Sequence, residues 1–75
     1  MKIVKVSLDT VDKVKGFVNT VSRLDGDFDL VSDRYVVDAK SIMGIFSLDL
    51  SKPLDLQVHS GEENAVTMLK PFIVE

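Results

Sequence analysis

The chain contains no cysteine. Disulfides and thiolate metal sites are thereby excluded, and apolar packing has to hold the fold together. No apolar run approaches the roughly 20 residues of a membrane span. The opening Met1-Lys2-Ile3-Val4-Lys5-Val6 is too short and too charged for a secretory signal. Both absences point to a cytoplasmic protein with no membrane role. Clustered basic residues are missing as well. Nine Lys and Arg stand against twelve Asp and Glu, for a net charge of −3. Direct nucleic-acid binding is not expected, because phosphate neutralisation needs grouped cations. Lys2, Lys5, Lys13 and Lys15 alternate with apolar or acidic residues and read as solvated faces. The single histidine, His59, has no clustered partner in sequence and reads as a solvated strand residue rather than a metal ligand. No Gly-rich phosphate loop, nucleophile–base pair or zinc pattern occurs. The chain is expected to be no enzyme and to need no cofactor.

What is present reads as one packed domain over residues 1–75. Apolar residues make up 45% of the chain, as in globular rather than disordered proteins. At 75 residues a single core is close to the minimum that suffices. No linker, low-complexity tract or repeat interrupts it.

Ile3, Val4 and Val6 form a β-branched opening strand. Asp9 or Thr10 then caps a helix, with Asp12 suited to the positive end of its dipole. Val11, Val14, Phe17, Val18, Val21 and Leu24 recur at spacings of three and four. They predict one apolar stripe on a helix of about four turns, stopped by Asp25-Gly26. Gly16 weakens that helix by up to about 1 kcal/mol. Phe28 and Leu30 alternate with Asp27 and Asp29, then Ser32-Asp33-Arg34 turns the chain into Tyr35–Ala39. The pair predicts a hairpin with one wet face. Asp25, Asp27 and Asp29 lack the spacing of a calcium loop. They read as solvent-facing residues that guard an edge against pairing.

Ser41 caps a short helix over residues 42–48. Leu54, Leu56 and Val58 alternate with Asp55, Gln57 and His59 as a fourth strand. Ser60 and Glu63 stand at capping-box spacing before a last helix carrying Ala65, Val66, Met68 and Leu69, ended by Pro71. The order is β-α-β-β-α-β-α. Polar outer faces on the strands predict one antiparallel sheet with helices on a single face. Strand order does not follow from the pattern.

The segment Lys40-Ser41-Ile42-Met43-Gly44-Ile45-Phe46-Ser47-Leu48 resembles the second-helix region of HPr, the small phosphocarrier of the bacterial sugar phosphotransferase system. Its Lys-Ser-Ile-Met-Gly stretch matches the regulatory serine motif of that family residue for residue. The preceding hairpin and the Ser60-Gly61-Glu62-Glu63-Asn64-Ala65 run sit at HPr-like spacing. The resemblance covers nearly the whole chain. It needs a shortened first loop, one residue fewer before the fourth strand and a shorter C-terminus. It implies an α+β fold, the open-faced β-sandwich, with a four-stranded antiparallel sheet and three helices on one face.

The first loop departs from the family. HPr proteins carry a Gly-hydrophobe-His-Ala-Arg-Pro signature there, whose histidine accepts phosphate from enzyme I and whose arginine helps neutralise it. Counting back from Ser41 without gaps puts Thr10 at the histidine, Asp12 at the arginine and Lys13 at the proline. Thr10 is a weak nucleophile with no adjacent base. Asp12 repels phosphate where the family attracts it. Helix capping is the expected role of Thr10.

At the second site the resemblance implies more. The serine matching Ser41 is phosphorylated in Gram-positive-type HPr proteins by HPr kinase/phosphorylase. Ser41 also serves as an N-cap worth about 1 kcal/mol, and the two roles are compatible. Ile42 and Met43 match the apolar residues that dock partners in the family, and are expected to be at least partly exposed. The implied function is a regulatory, protein-binding module without histidine phosphocarrier activity. HPr kinase/phosphorylase, a catabolite-control transcription regulator and enzyme I are the implied partners. The alternatives are a phosphocarrier with an unusual acceptor, Thr10 or His59, and a decayed homologue that only binds a scaffold.

Overall fold

The computed structural model describes residues 2–61 and 64–74. The elements follow in the order β1 (Lys2–Val6), α1 (Val11–Val21), β2 (Gly26–Ser32), β3 (Tyr35–Asp38), α2 (Ile42–Phe46), β4 (Leu54–Gly61) and α3 (Ala65–Met68). A 3₁₀ turn, Lys70–Phe72, follows α3. The strands form a four-stranded antiparallel sheet in the order β1-β4-β2-β3.

Alternation sets the faces, since successive strand side chains point to opposite sides. Val4, Leu56, Leu30 and Val37 make one row across the sheet on the helix side. Val6, Leu54 and Phe28 join them, and Val14, Phe17, Val21, Ile45, Ala65 and Leu69 close over them from the helices. Fully burying one such valine, leucine or phenylalanine is worth about 1.5–3 kcal/mol. No polar side chain is buried among the described residues. The open-faced sandwich expected from the sequence is the observed fold.

Several local boundaries differ from the pattern. α1 ends at Val21, about one turn before Leu24, and not at Asp25-Gly26. Arg23 and Leu24 N–H donate instead to Thr20 and Val21 C=O, tightening the exit to 3₁₀ geometry. That tighter turn still delivers Leu24 to the core, which is why the apolar stripe overran the helix. Gly26, at φ 123°, opens β2 rather than stopping the helix. α2 ends at Phe46 rather than Leu48 for the same reason, with Ser47 and Leu48 N–H bonded to Gly44 and Ile45 C=O.

Ser60 does not stand at the start of the last helix. Ser60 belongs to β4, and α3 starts from Asn64 without a side-chain cap; Glu63 lies outside the described residues. Pro71 sits inside the 3₁₀ turn, beyond the end of α3 at Met68. β2 is a central strand, so Asp27 and Asp29 guard no edge. The edges are β1 and β3. The wet face is also less polar than expected, with Ile3 and Val36 exposed on it.

Phe72 returns to meet Phe17 edge-on, with ring centroids 5.6 Å apart. Residues 72–74 then run along β1, where Val6 bridges to Ile73.

Candidate functional site

Three short bonds build the turn into α2. Ser41 N–H donates to Asp38 C=O at 3.0 Å. Lys40 N–H donates to Asp38 Oδ1 at 2.9 Å, an Asx turn. Lys40 Nζ donates to Leu24 C=O at 2.8 Å and lies 5.6 Å from the centroid of the Phe28 ring. The lysine thereby ties this turn to the loop after α1.

Ser41 is the N-cap of α2. Its backbone is extended, at φ −100° and ψ 104°, and its Oγ accepts from Gly44 N–H at 3.2 Å. The residue is exposed. Gly44 lets the helix close on β3: a Cβ there would lie 3.2 Å from Val37 Cβ and 3.3 Å from Ser41 Oγ.

Beyond the cap, α2 divides its side chains by spacing. Ile45 is fully buried and Ile42 packs against the core while half-exposed. Met43 is 78% exposed and Phe46 is 43% exposed. Both sequence-expected docking residues thus reach solvent, Met43 far more than Ile42. Phe46 was not singled out from sequence. Its position three residues after Met43, on the same helix face, is the signal that would have found it.

α1 lies beside α2. Thr10 is its N-cap, at φ −132° and ψ 156°, with Oγ1 accepting from Lys13 N–H at 3.1 Å. Lys13 Nζ contacts Asp9 Oδ1 at 3.0 Å. That hydrogen bond, and then the ammonium charge, hold the Asp9 carboxyl below its ordinary 3.8. Asp12 occupies the first turn. The donor and cation at this helix start are therefore engaged by groups of the chain itself. Val11, placed on the apolar stripe by its spacing, is 55% exposed instead of buried.

His59 lies elsewhere, on the outer face of the sheet. It is an exposed strand residue, as expected, but it has a partner. Its Nε2 is 3.0 Å from Asp29 Oδ2. The two are far apart in sequence, and only the β2–β4 pairing brings them together. Asp29 also stands opposite Asp38 across β2 and β3. These residues, with Gly26, Asp27, Phe28 and Lys40, line an open depression of about 420 Å³. Among the described residues no group of three His, Asp or Glu side chains is arranged to hold a metal.

The fold has solved counterparts. HPr-C-His from Thermoanaerobacter tengcongensis matches with a TM-score of 0.80 and 30% sequence identity, over 95% of this chain and 89% of that one. The chain belongs to the HPr family. Phosphocarrier protein HPr from Bacillus anthracis str. Ames matches with a TM-score of 0.71 and 29% identity, over 97% of this chain and 94% of that one. No protein-family model and no curated protein matches the sequence. Membership in the HPr family makes this a phosphocarrier-type fold rather than that of an enzyme. Among the described residues of this HPr-family chain, no helix is long and apolar enough to cross a membrane.

Proposed function

We propose that this HPr-family chain is a cytoplasmic regulatory module that binds protein partners and has lost histidine phosphocarrier chemistry. Residues 1–75 act as one domain, and Ser41 is its phosphorylation switch. The observation that carries the reading is the state of the two helix starts. At α2, an exposed serine hydroxyl caps the helix beside an exposed Met43. At α1, Thr10 occupies the cap, Asp12 follows it, and Lys13 is paired to Asp9.

A phosphohistidine needs an imidazole nitrogen beside a helix start and a cation. Thr10 offers a hydroxyl without a base, and Asp12 adds repulsion. The one imidazole of the chain is on β4, bound to Asp29. At Ser41, added phosphate would introduce close to two negative charges at the start of α2, next to the Met43 side chain. Partner choice would then change without refolding. Ile42, Met43 and Phe46 supply the apolar contacts, and Met suits adaptable docking. HPr kinase/phosphorylase and a catabolite-control transcription regulator are the partners this reading favours; enzyme I is the partner of the alternative.

The test uses two reactions on the full chain. One supplies ATP and the serine kinase, the other phosphoenolpyruvate and enzyme I, and mass spectrometry maps the phosphate. Label on Ser41 from ATP alone, absent in Ser41→Ala, is the expected result. Acid-labile label from phosphoenolpyruvate would sink the claim that carrier chemistry is lost. No label in either reaction favours scaffold binding alone.

A further inference from the structure

The two edges of the sheet are finished differently. On β1, Ser7 N–H donates to Phe72 C=O at 2.9 Å and Val74 N–H donates to Lys5 C=O at 3.0 Å. The segment after α3 thus covers the end of that edge. β1 also carries Lys2 and Lys5, the kind of charge that keeps an edge from pairing. Among the described residues no such segment covers β3, which pairs only with β2. It contains no lysine or proline, and exposes Tyr35 at 68% and Val36 at 60%.

The register shows which backbone groups of β3 are open. Ala39 N–H donates to Phe28 C=O, so residues 28 and 39 are a hydrogen-bonded pair. Such pairs alternate along an antiparallel ladder. Leu30 with Val37 is then bonded, while Val31 with Val36 and Asp29 with Asp38 are not. The N–H and C=O of Val36 and the N–H of Asp38 consequently face away from β2.

The side chains on this edge complement themselves. β3, Tyr35–Asp38, taken with Arg34, the turn residue that leads into it, and laid antiparallel to an identical segment about Val36, brings Arg34 against Asp38 in both halves. It also sets Tyr35 opposite Val37 and Val36 opposite Val36. Opposite charges and aromatic–β-branched pairs are the favourable cross-strand combinations. The open groups of Val36 bond each other in this register and in no register shifted by one residue.

We propose that β3 is a self-pairing edge, through which two copies of this chain join their sheets antiparallel about Val36. Two strands this short bury little surface, so the dimer is weak and reversible. The contact uses neither the Ser41 hydroxyl nor the Met43 side chain, and stands apart from the phosphorylation reading.

Sedimentation equilibrium up to about 1 mM protein, where so small an interface is populated, tests it. The unmodified chain is expected to show a monomer–dimer equilibrium. Arg34→Asp and Asp38→Arg each turn two attractive pairs into repulsive ones, and each should weaken association by about tenfold or more. An equimolar mixture of the two variants should recover it, because every mixed pair again joins a carboxylate to a guanidinium. Val36→Lys, which places like charges at the two-fold axis, should abolish association even if Asp38→Arg disturbs the turn before α2. A chain monomeric at about 1 mM overturns the proposal. So does association that survives these charge changes or fails to return in the mixture. Association lost in Met43→Glu but kept in Arg34→Asp also overturns it, by moving the contact to α2.

Discussion

Lys40→Met isolates the ammonium that ties the turn before α2 to the loop after α1. The Nζ donates to Leu24 C=O at 2.8 Å and lies 5.6 Å from the Phe28 ring centroid. A hydrogen bond from a charged donor contributes about 1.5–3 kcal/mol, and a partly exposed cation–π contact about 0.5–1 kcal/mol. Lys40 is only half-buried, so the low ends apply and the sum is about 2 kcal/mol. Methionine keeps an apolar stem over Phe28, which confines the loss to the charge and its bond. The Asx turn survives, because it uses the Lys40 backbone N–H. For a domain of this size each kcal/mol moves the thermal midpoint by about 4–8 °C, so a fall of about 8–16 °C is expected. Circular dichroism melts and urea titrations measure it. A loss below about 0.5 kcal/mol would refute the reasoning, because water would then satisfy the Leu24 carbonyl equally well.

Ser41→Ala removes the acceptor for Gly44 N–H and should cost about 1 kcal/mol in urea titration, whereas Ser41→Asp should stay within a few tenths. Gly16→Ala should raise the thermal midpoint, gaining up to about 1 kcal/mol of helix propensity, because the new Cβ meets Phe72 Cζ at an ordinary 3.4 Å. Gly44→Ala should lower it, since Val37 Cβ at 3.2 Å cannot rotate away. The Asp9 carboxyl should titrate below 3.8 by carbon NMR, and Lys13→Met should raise it. Its folded value is depressed, so its contribution to stability is present above the unfolded value and lost as pH falls through the folded one.

Periodicity carried the sequence reading furthest where a whole face is buried. Leu54, Leu56 and Val58 alternate without a break, and β4 formed with that face inward. It failed where one residue had to mark an end. Leu24 and Leu48 are core residues placed by 3₁₀ exits, so their burial says nothing about helix length. Ser60 had the spacing of a cap but was claimed by a strand pairing with β2. The Ser41 cap was legible because its partner, Gly44 N–H, is three residues away. The bonds of Lys40 to Leu24 and of His59 to Asp29 were not, because no local pattern encodes contacts 16 and 30 residues apart.

By itself the sequence determined the element order, the inward face of the central strands, and the side-chain caps of Thr10 and Ser41 on their helices. Those depend on neighbours within a few residues, where spacing and chemistry act directly. Tertiary structure alone decided the strand order β1-β4-β2-β3. That order makes β2 an interior strand, sets Asp29 beside His59, and leaves β3 open at the edge. The reason is that strand pairing is a contest among distant segments, settled by how all the apolar faces close on one core.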